Sequence, residues 1–120
     1  MHLEVKKIFS TELRELALPE DPACCAVTVF VDIGLKHSEG AEQFHVLVVT
    51  PQFLIQHPAT FWGKGCLLIP EFSWREVIRM IERLVSSISV CSWDEAVKVL
   101  CNYMEWEFEN YLSSDDTTRS

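Results

Sequence analysis

Two stretches of the chain repeat apolar positions with the two-residue period of a β-strand. Cys25 to Ile33 (C-A-V-T-V-F-V-D-I) places Cys25, Val27, Val29, Val31 and Ile33 on one face, and Phe44 to Thr50 (F-H-V-L-V-V-T) is a second β-branched run. The segment between them, bounded by Gly34 and Gly40, is too short for a parallel crossover, so the two runs are expected to pair as an antiparallel hairpin. Leu3, Val5 and Phe9 flank Glu4, Lys6 and Lys7, which suggests a short, half-exposed first strand, although Ile8 breaks its alternation. Residues 10–23 mix leucines with acids and end in P-E-D-P; Pro19 and Pro22 there forbid regular structure, and the stretch reads as a loop. Pro51 stops the second strand. From there a connection runs through Trp62 and Gly63 to a short apolar run, Cys66 to Ile69, that ends at Pro70 and reads as a further strand.

The apolar spacing then changes to about 100° per residue, the period of a helix. Ser73-Trp74-Arg75-Glu76 is a capping box, in which the serine oxygen takes an orphan amide of the first turn and the glutamate reaches back. The helix it starts has Trp74, Val77, Ile78, Ile81, Leu84, Val85 and Ile88 on one face and Arg75, Arg79, Arg83 and Ser86 on the other. Ser92-Trp93-Asp94-Glu95 repeats the signal and predicts a last helix running to Tyr111. Its apolar face would hold Trp93, Ala96, Val97, Leu100, Met104, Phe108 and Tyr111. Two residues violate that pattern: Glu107 falls inside the apolar stripe and Trp106 among the acids. Such local inconsistencies are where a functional or strained site is worth suspecting. Strands first and helices last predict an α+β domain over residues 1–112: an antiparallel sheet of about four strands, covered on one face by the two C-terminal helices. Residues 113–120 read as a disordered acidic and polar tail.

Charge adds a direction to this picture. The chain of 120 residues has a net charge of -8, and residues 92–120 carry seven acids against two bases. Acidity gathered at the C-terminal end argues against nucleic acid or an anionic membrane as partner and makes a basic partner the natural complement. No run is apolar and long enough to cross a membrane, and nothing at the start resembles an export signal, so a cytoplasmic chain is expected. Five cysteines, with no C-x-x-C, lie in or beside apolar runs and read as free thiols in a reducing compartment.

Arrangements for catalysis are missing. His2, His37, His45 and His57 form no metal-ligand spacing, and no Gly-rich phosphate loop or nucleophile elbow is present, so neither a metal nor a cofactor is expected. A thiol enzyme using Cys91 or His45 is the rival class, against which Cys25, Cys66 and Cys101 sit in apolar surroundings that raise a thiol pKa. Glu105 and Glu109 would share a helix side at i, i+4. Trp106 is read two ways: packed on a sheet edge, or exposed as an anchor ringed by acids, through which the chain could also self-associate. Glu107 requires a donor, such as an arginine, a tyrosine hydroxyl or backbone amides, and is assigned to the fold with Trp93.

Several of these pieces are also familiar together. V-D-I-G-L, Glu39-Gly40, Phe44 through Pro51, Ser92-Trp93-Asp94-Glu95, and Trp106-Glu107-Phe108-Glu109 with Tyr111 resemble the immunity protein 8 family of bacterial polymorphic toxin and contact-dependent inhibition systems. The likeness spans about residues 25–111. It implies a small cytosolic binding protein, without chemistry of its own, that neutralises a cognate toxin domain, often a nuclease. Combined with the charge distribution, it directs attention to Asp94, Glu95, Glu105, Trp106 and Glu109 as a toxin-binding surface. The expected partner is a basic toxin domain and the expected state a monomer.

Overall fold

In the computed structural model, which describes residues 1–60 and 63–108, the two alternating runs form the expected antiparallel hairpin. Strand β2 (Ala26–Leu35) pairs residue for residue with β3 (Glu42–Val49), from Ala26 opposite Val49 to Ile33 opposite Glu42. The predicted face is the inner one: Val27, Val29, Val31 and Ile33 are buried together with Phe44, Val46 and Val48. β1 (Leu3–Phe9) adds antiparallel to β2, with a register shift between Val5 and Lys7. That bulge explains Ile8, since one extra residue returns an apolar side chain to the inner face after the alternation has slipped.

The fold class is α+β as the element order predicts, and the sheet is mostly antiparallel with two departures. β4 (Cys66–Leu68) lies parallel to β3, and a fifth strand, β5 (Glu105–Trp106), pairs antiparallel with β3. The parallel pair is possible because residues 50–65 are long enough to carry the chain back across the sheet. They include a short helix, α1 (Pro51–Gln56), where the sequence suggested only a connection. Its cap is Thr50, fully buried, whose Oγ1 accepts the Cys25 amide at 3.1 Å and the Phe53 amide at 3.4 Å. One hydroxyl thus joins the start of β2 to the start of α1, with Pro51 at the position of the first turn that needs no amide.

α2 (Trp74–Ser87) and α3 (Trp93–Leu100) close the inner face of the sheet. Trp74, Val77, Ile81 and Val85 of α2 and Ala96, Val97 and Leu100 of α3 share one core with the β2 and β3 residues. Both serine caps form: the Glu76 amide donates to Ser73 Oγ and the Glu95 amide to Ser92 Oγ. Residues 10–23 are irregular and tied down by Trp74, whose Nε1 donates to the Ala17 carbonyl at 2.9 Å. The other face of the sheet carries a row of rings, Phe9 stacked on Phe30 at 5.4 Å and Phe30 against His45 at 5.8 Å.

Gly34, near the end of β2, is packed where a side chain has no room. A Cβ there would collide with the Gly40 carbonyl oxygen and lie 3.2 Å from Ala41 Cα, both backbone, so neither can yield cheaply. Gly34→Ala is therefore expected to destabilise the protein by about 1–3 kcal/mol, read as a lower urea midpoint. Gly40→Ala, which meets only Ser38 Oγ at 3.9 Å, should leave the midpoint nearly unchanged.

Candidate functional site

The acidic end of the molecule begins at the α3 cap. Ser92 holds the Glu95 amide, and Glu95 Oε2 accepts the amide of Cys91 at 3.2 Å, one residue before the serine amide that a standard capping box would use. Asp94 and Glu95 are exposed, while Trp93 is half-buried against the core as its assignment to the fold requires.

The helix does not continue to Tyr111. It ends at Leu100, and the amides of Cys101, Tyr103 and Met104 wind down onto the Val97 and Leu100 carbonyls before the chain becomes extended at Glu105. M-E-W-E-F-E has a period of two, not 3.6, so the two apparent violations of the helical pattern mark the change of structure. Trp106 pairs with Phe44 on the inner face and Glu105 with His45 on the outer one. Successive strand residues point to opposite faces, so the sheet separates Glu105 from Trp106. The i, i+4 relation of Glu105 to Glu109 is lost with the helix, and Glu109, like the expected tail at 113–120, lies outside the described residues.

Glu107 fastens this segment to β3. Its amide donates to the Gln43 carbonyl at 3.1 Å and its Oε1 accepts the Gln43 amide at 3.0 Å, so the backbone amide that Glu107 was expected to find belongs to the neighbouring strand. Trp106 is half-buried against the core, its Nε1 donates to Glu42 Oε2 at 2.8 Å, and Phe108 stands edge-on to its ring at 5.2 Å. Packing on a sheet edge is the reading that holds for the indole.

These contacts join the C-terminal segment to Glu42 and Gln43, distant in sequence. Glu42 and Trp93 line one cleft of about 330 Å³ beside the hairpin turn that carries Glu39. Asp94 follows Trp93, and Glu107 is bonded to Gln43, the neighbour of Glu42, whereas Glu105 lies on the other face of the sheet with its side chain beside Gly65. Sequence reasoning found Asp94, Glu95 and Glu105 but missed Glu42, which no local pattern distinguishes; only the β3–β5 register brings it to Trp106. The carboxylates that are bonded take neutral donors, an indole for Glu42 and amides for Glu95 and Glu107. Among the described residues, the ion pairs Lys6–Glu4 and Arg79–Glu76 involve none of these three. Neutral donors hold a carboxylate without cancelling its charge.

The thiols give a different picture. Burial pushes the Cys25 and Cys66 thiols up, aided by Asp21 and Cys24 at the first and by Glu105 at the second. Cys91 is exposed beside the α3 cap, whereas His45 contacts Phe30 on the sheet's outer face. Among the described residues no three of His, Cys, Asp and Glu are grouped so as to hold a metal ion, and no helix is long and apolar enough to cross a membrane.

Comparison with known proteins yields a family match. The model of the family described as Immunity protein 8 matches residues 3–111, and no curated protein or solved structure matches the chain.

The thiol environments lead to an ordered reactivity. With iodoacetamide at neutral pH, followed by mass spectrometry, Cys91 is expected to be alkylated well before Cys25 and Cys66, at about the rate of an unstructured cysteine peptide. Alkylation of Cys91 much faster than the peptide would reveal an activated nucleophile and favour the thiol-enzyme class.

Proposed function

The chain belongs to the Immunity protein 8 family, and from that premise we propose that it is a cytoplasmic, monomeric antidote that docks its acidic end on a basic, nuclease-type toxin domain. Membership makes it an immunity protein acting against a toxin. The observation that carries the finer reading is that, among the described residues, Glu42, Glu95 and Glu107 are held by neutral donors and not by cations, with Asp94 exposed on the first turn of α3 and Glu105 on the outer face of β5. A nuclease must concentrate positive charge where it holds phosphate, so a negative surface of this kind is drawn to it and covers the groups that substrate needs.

Roles follow from position. Asp94 and Glu95 at the α3 cap, with Glu105 on the outer face of β5 and Glu109 beyond it, supply charged contacts. Trp106, with the exposed ring of Phe108 on its edge, supplies the apolar contact among them. Because its indole also anchors β5, the tryptophan contributes through its exposed edge, and its removal would disturb the fold as well as the interface. No chemistry is required of the antidote: occupancy alone inhibits.

Charge reversal tests this without touching the core. Asp94→Lys with Glu105→Lys is expected to slow association with the toxin domain about tenfold at low salt, with a much smaller change in dissociation, and the wild-type rate should fall as salt is added. Stopped-flow fluorescence with the purified toxin domain measures both, with Arg75→Glu on the exposed face of α2 as the control. An association rate equal to wild type in the double variant would remove the acidic end from the interface.

A further inference from the structure

A second opening lies on the α2 side of the fold. Between α2, the edge of β3 and β4, and the turn that follows α3 is a cavity of about 370 Å³. Val46, Ile81 and Met104, each nearly fully buried, form part of its wall, and Met80 stands at its rim, 37% exposed. Among the described residues Arg83 is the one charged side chain lining it, and Asn102 is one of its few polar residues.

Arg83 differs from the arginine one turn before it. Arg79 is held by Glu76 through two hydrogen bonds of 3.0 and 2.9 Å, whereas the Arg83 guanidinium has neither a hydrogen bond nor an ion pair among the described residues. A cation without a partner among the described residues, lining an apolar cavity on a chain of net charge -8, selects the sign of a ligand. A guanidinium matches the two oxygens of a carboxylate, while an apolar wall takes the body attached to it. The volume falls at the small end of ligand sites, roughly 300–1,000 Å³. A polyphosphate would need several cations, and the described lining offers one.

We propose that this cavity binds a small amphiphilic monoanion, a medium-chain carboxylate, with its apolar chain against Val46, Ile81 and Met104 and its carboxylate on Arg83. The site borders the proposed toxin surface, since Gly65 in its lining meets the Glu105 side chain, but its binding of a small anion does not depend on that reading.

Methionine methyl resonances report on it directly. The chain has three methionines; Met80 and Met104 line the cavity and Met1 does not. In protein labelled with carbon-13 at the methionine methyls, octanoate is expected to shift Met80 and Met104 saturably and leave Met1 in place. Octanol, of the same length without charge, should bind about tenfold more weakly, and Arg83→Gln should reduce octanoate to the affinity of octanol. Arg83 is exposed, so the variant should fold, and a native Met104 resonance confirms that it has. The proposal is overturned if octanoate produces no saturable shift, if Met1 moves equally, if octanol binds as well as octanoate, or if Arg83→Gln leaves octanoate binding unchanged. It is also overturned if the two methyls respond only to the toxin domain, which would make the cavity part of that interface, or only to protein concentration, which would place a second copy there.

Discussion

Everything in this structure is registered on β3. One edge of that strand is taken by β2 along its whole length, and the other must also be paired, because a buried backbone group left without a partner costs about as much as a lost hydrogen bond. Two short segments share the second edge end to end. β4 takes Leu47 to Val49, extended by the Leu47 amide on the Gly65 carbonyl and the Ile69 amide on the Val49 carbonyl, and β5 takes Phe44 and His45. Glu107 completes the row with both its amide and its carboxylate on Gln43. A continuous C-terminal helix would have left half of this edge open, which is why the chain abandons helix after Leu100 although its first turns are well capped.

The same requirement generates the electrostatics. To pair the edge, the C-terminal segment must run beside β3, and that brings Trp106 to Glu42 and Glu107 to Gln43, with Glu105 on the opposite face of the sheet. Here an indole and two amides hold Glu42, Glu95 and Glu107 in fixed positions. Orientation is thus supplied by neutral groups while the field is left intact, which suits a surface built to attract a cation-rich partner.

How much of this was legible in the sequence depends on the range of the interaction concerned. The β2–β3 hairpin, both serine caps and the apolar face of α2 rest on contacts close along the chain, and periodicity and capping chemistry predicted each of them. The short first strand was visible too, but its bulge appeared only as an unexplained Ile8. Long-range pairing was not legible. Nothing local says that Cys66–Leu68 will lie parallel to β3, or that Thr50 will cap α1 while also holding the Cys25 amide. The site was half-legible for the same reason. Trp106 and Glu107 stood out because they broke a helical pattern, yet the partners that explain them, Glu42 and Gln43, lie 64 residues away.

The turn at residues 101–104 joins the two regions with functional readings. Met104 is buried to 2% exposure and fixes the turn in the core, and its neighbours Asn102 and Tyr103 line the cavity on one side. Immediately after it Glu105 and Trp106 enter the sheet. Truncating Met104 would leave a void whose cost comes from lost packing, and the strain would be felt both in the cavity wall and in the register of β5. A loss of binding in such a variant would therefore say nothing about which surface a partner uses. Asp94 and Arg83 do separate the two regions: both are exposed, neither takes part in the core, and each carries a charge of the sign on which its own region depends.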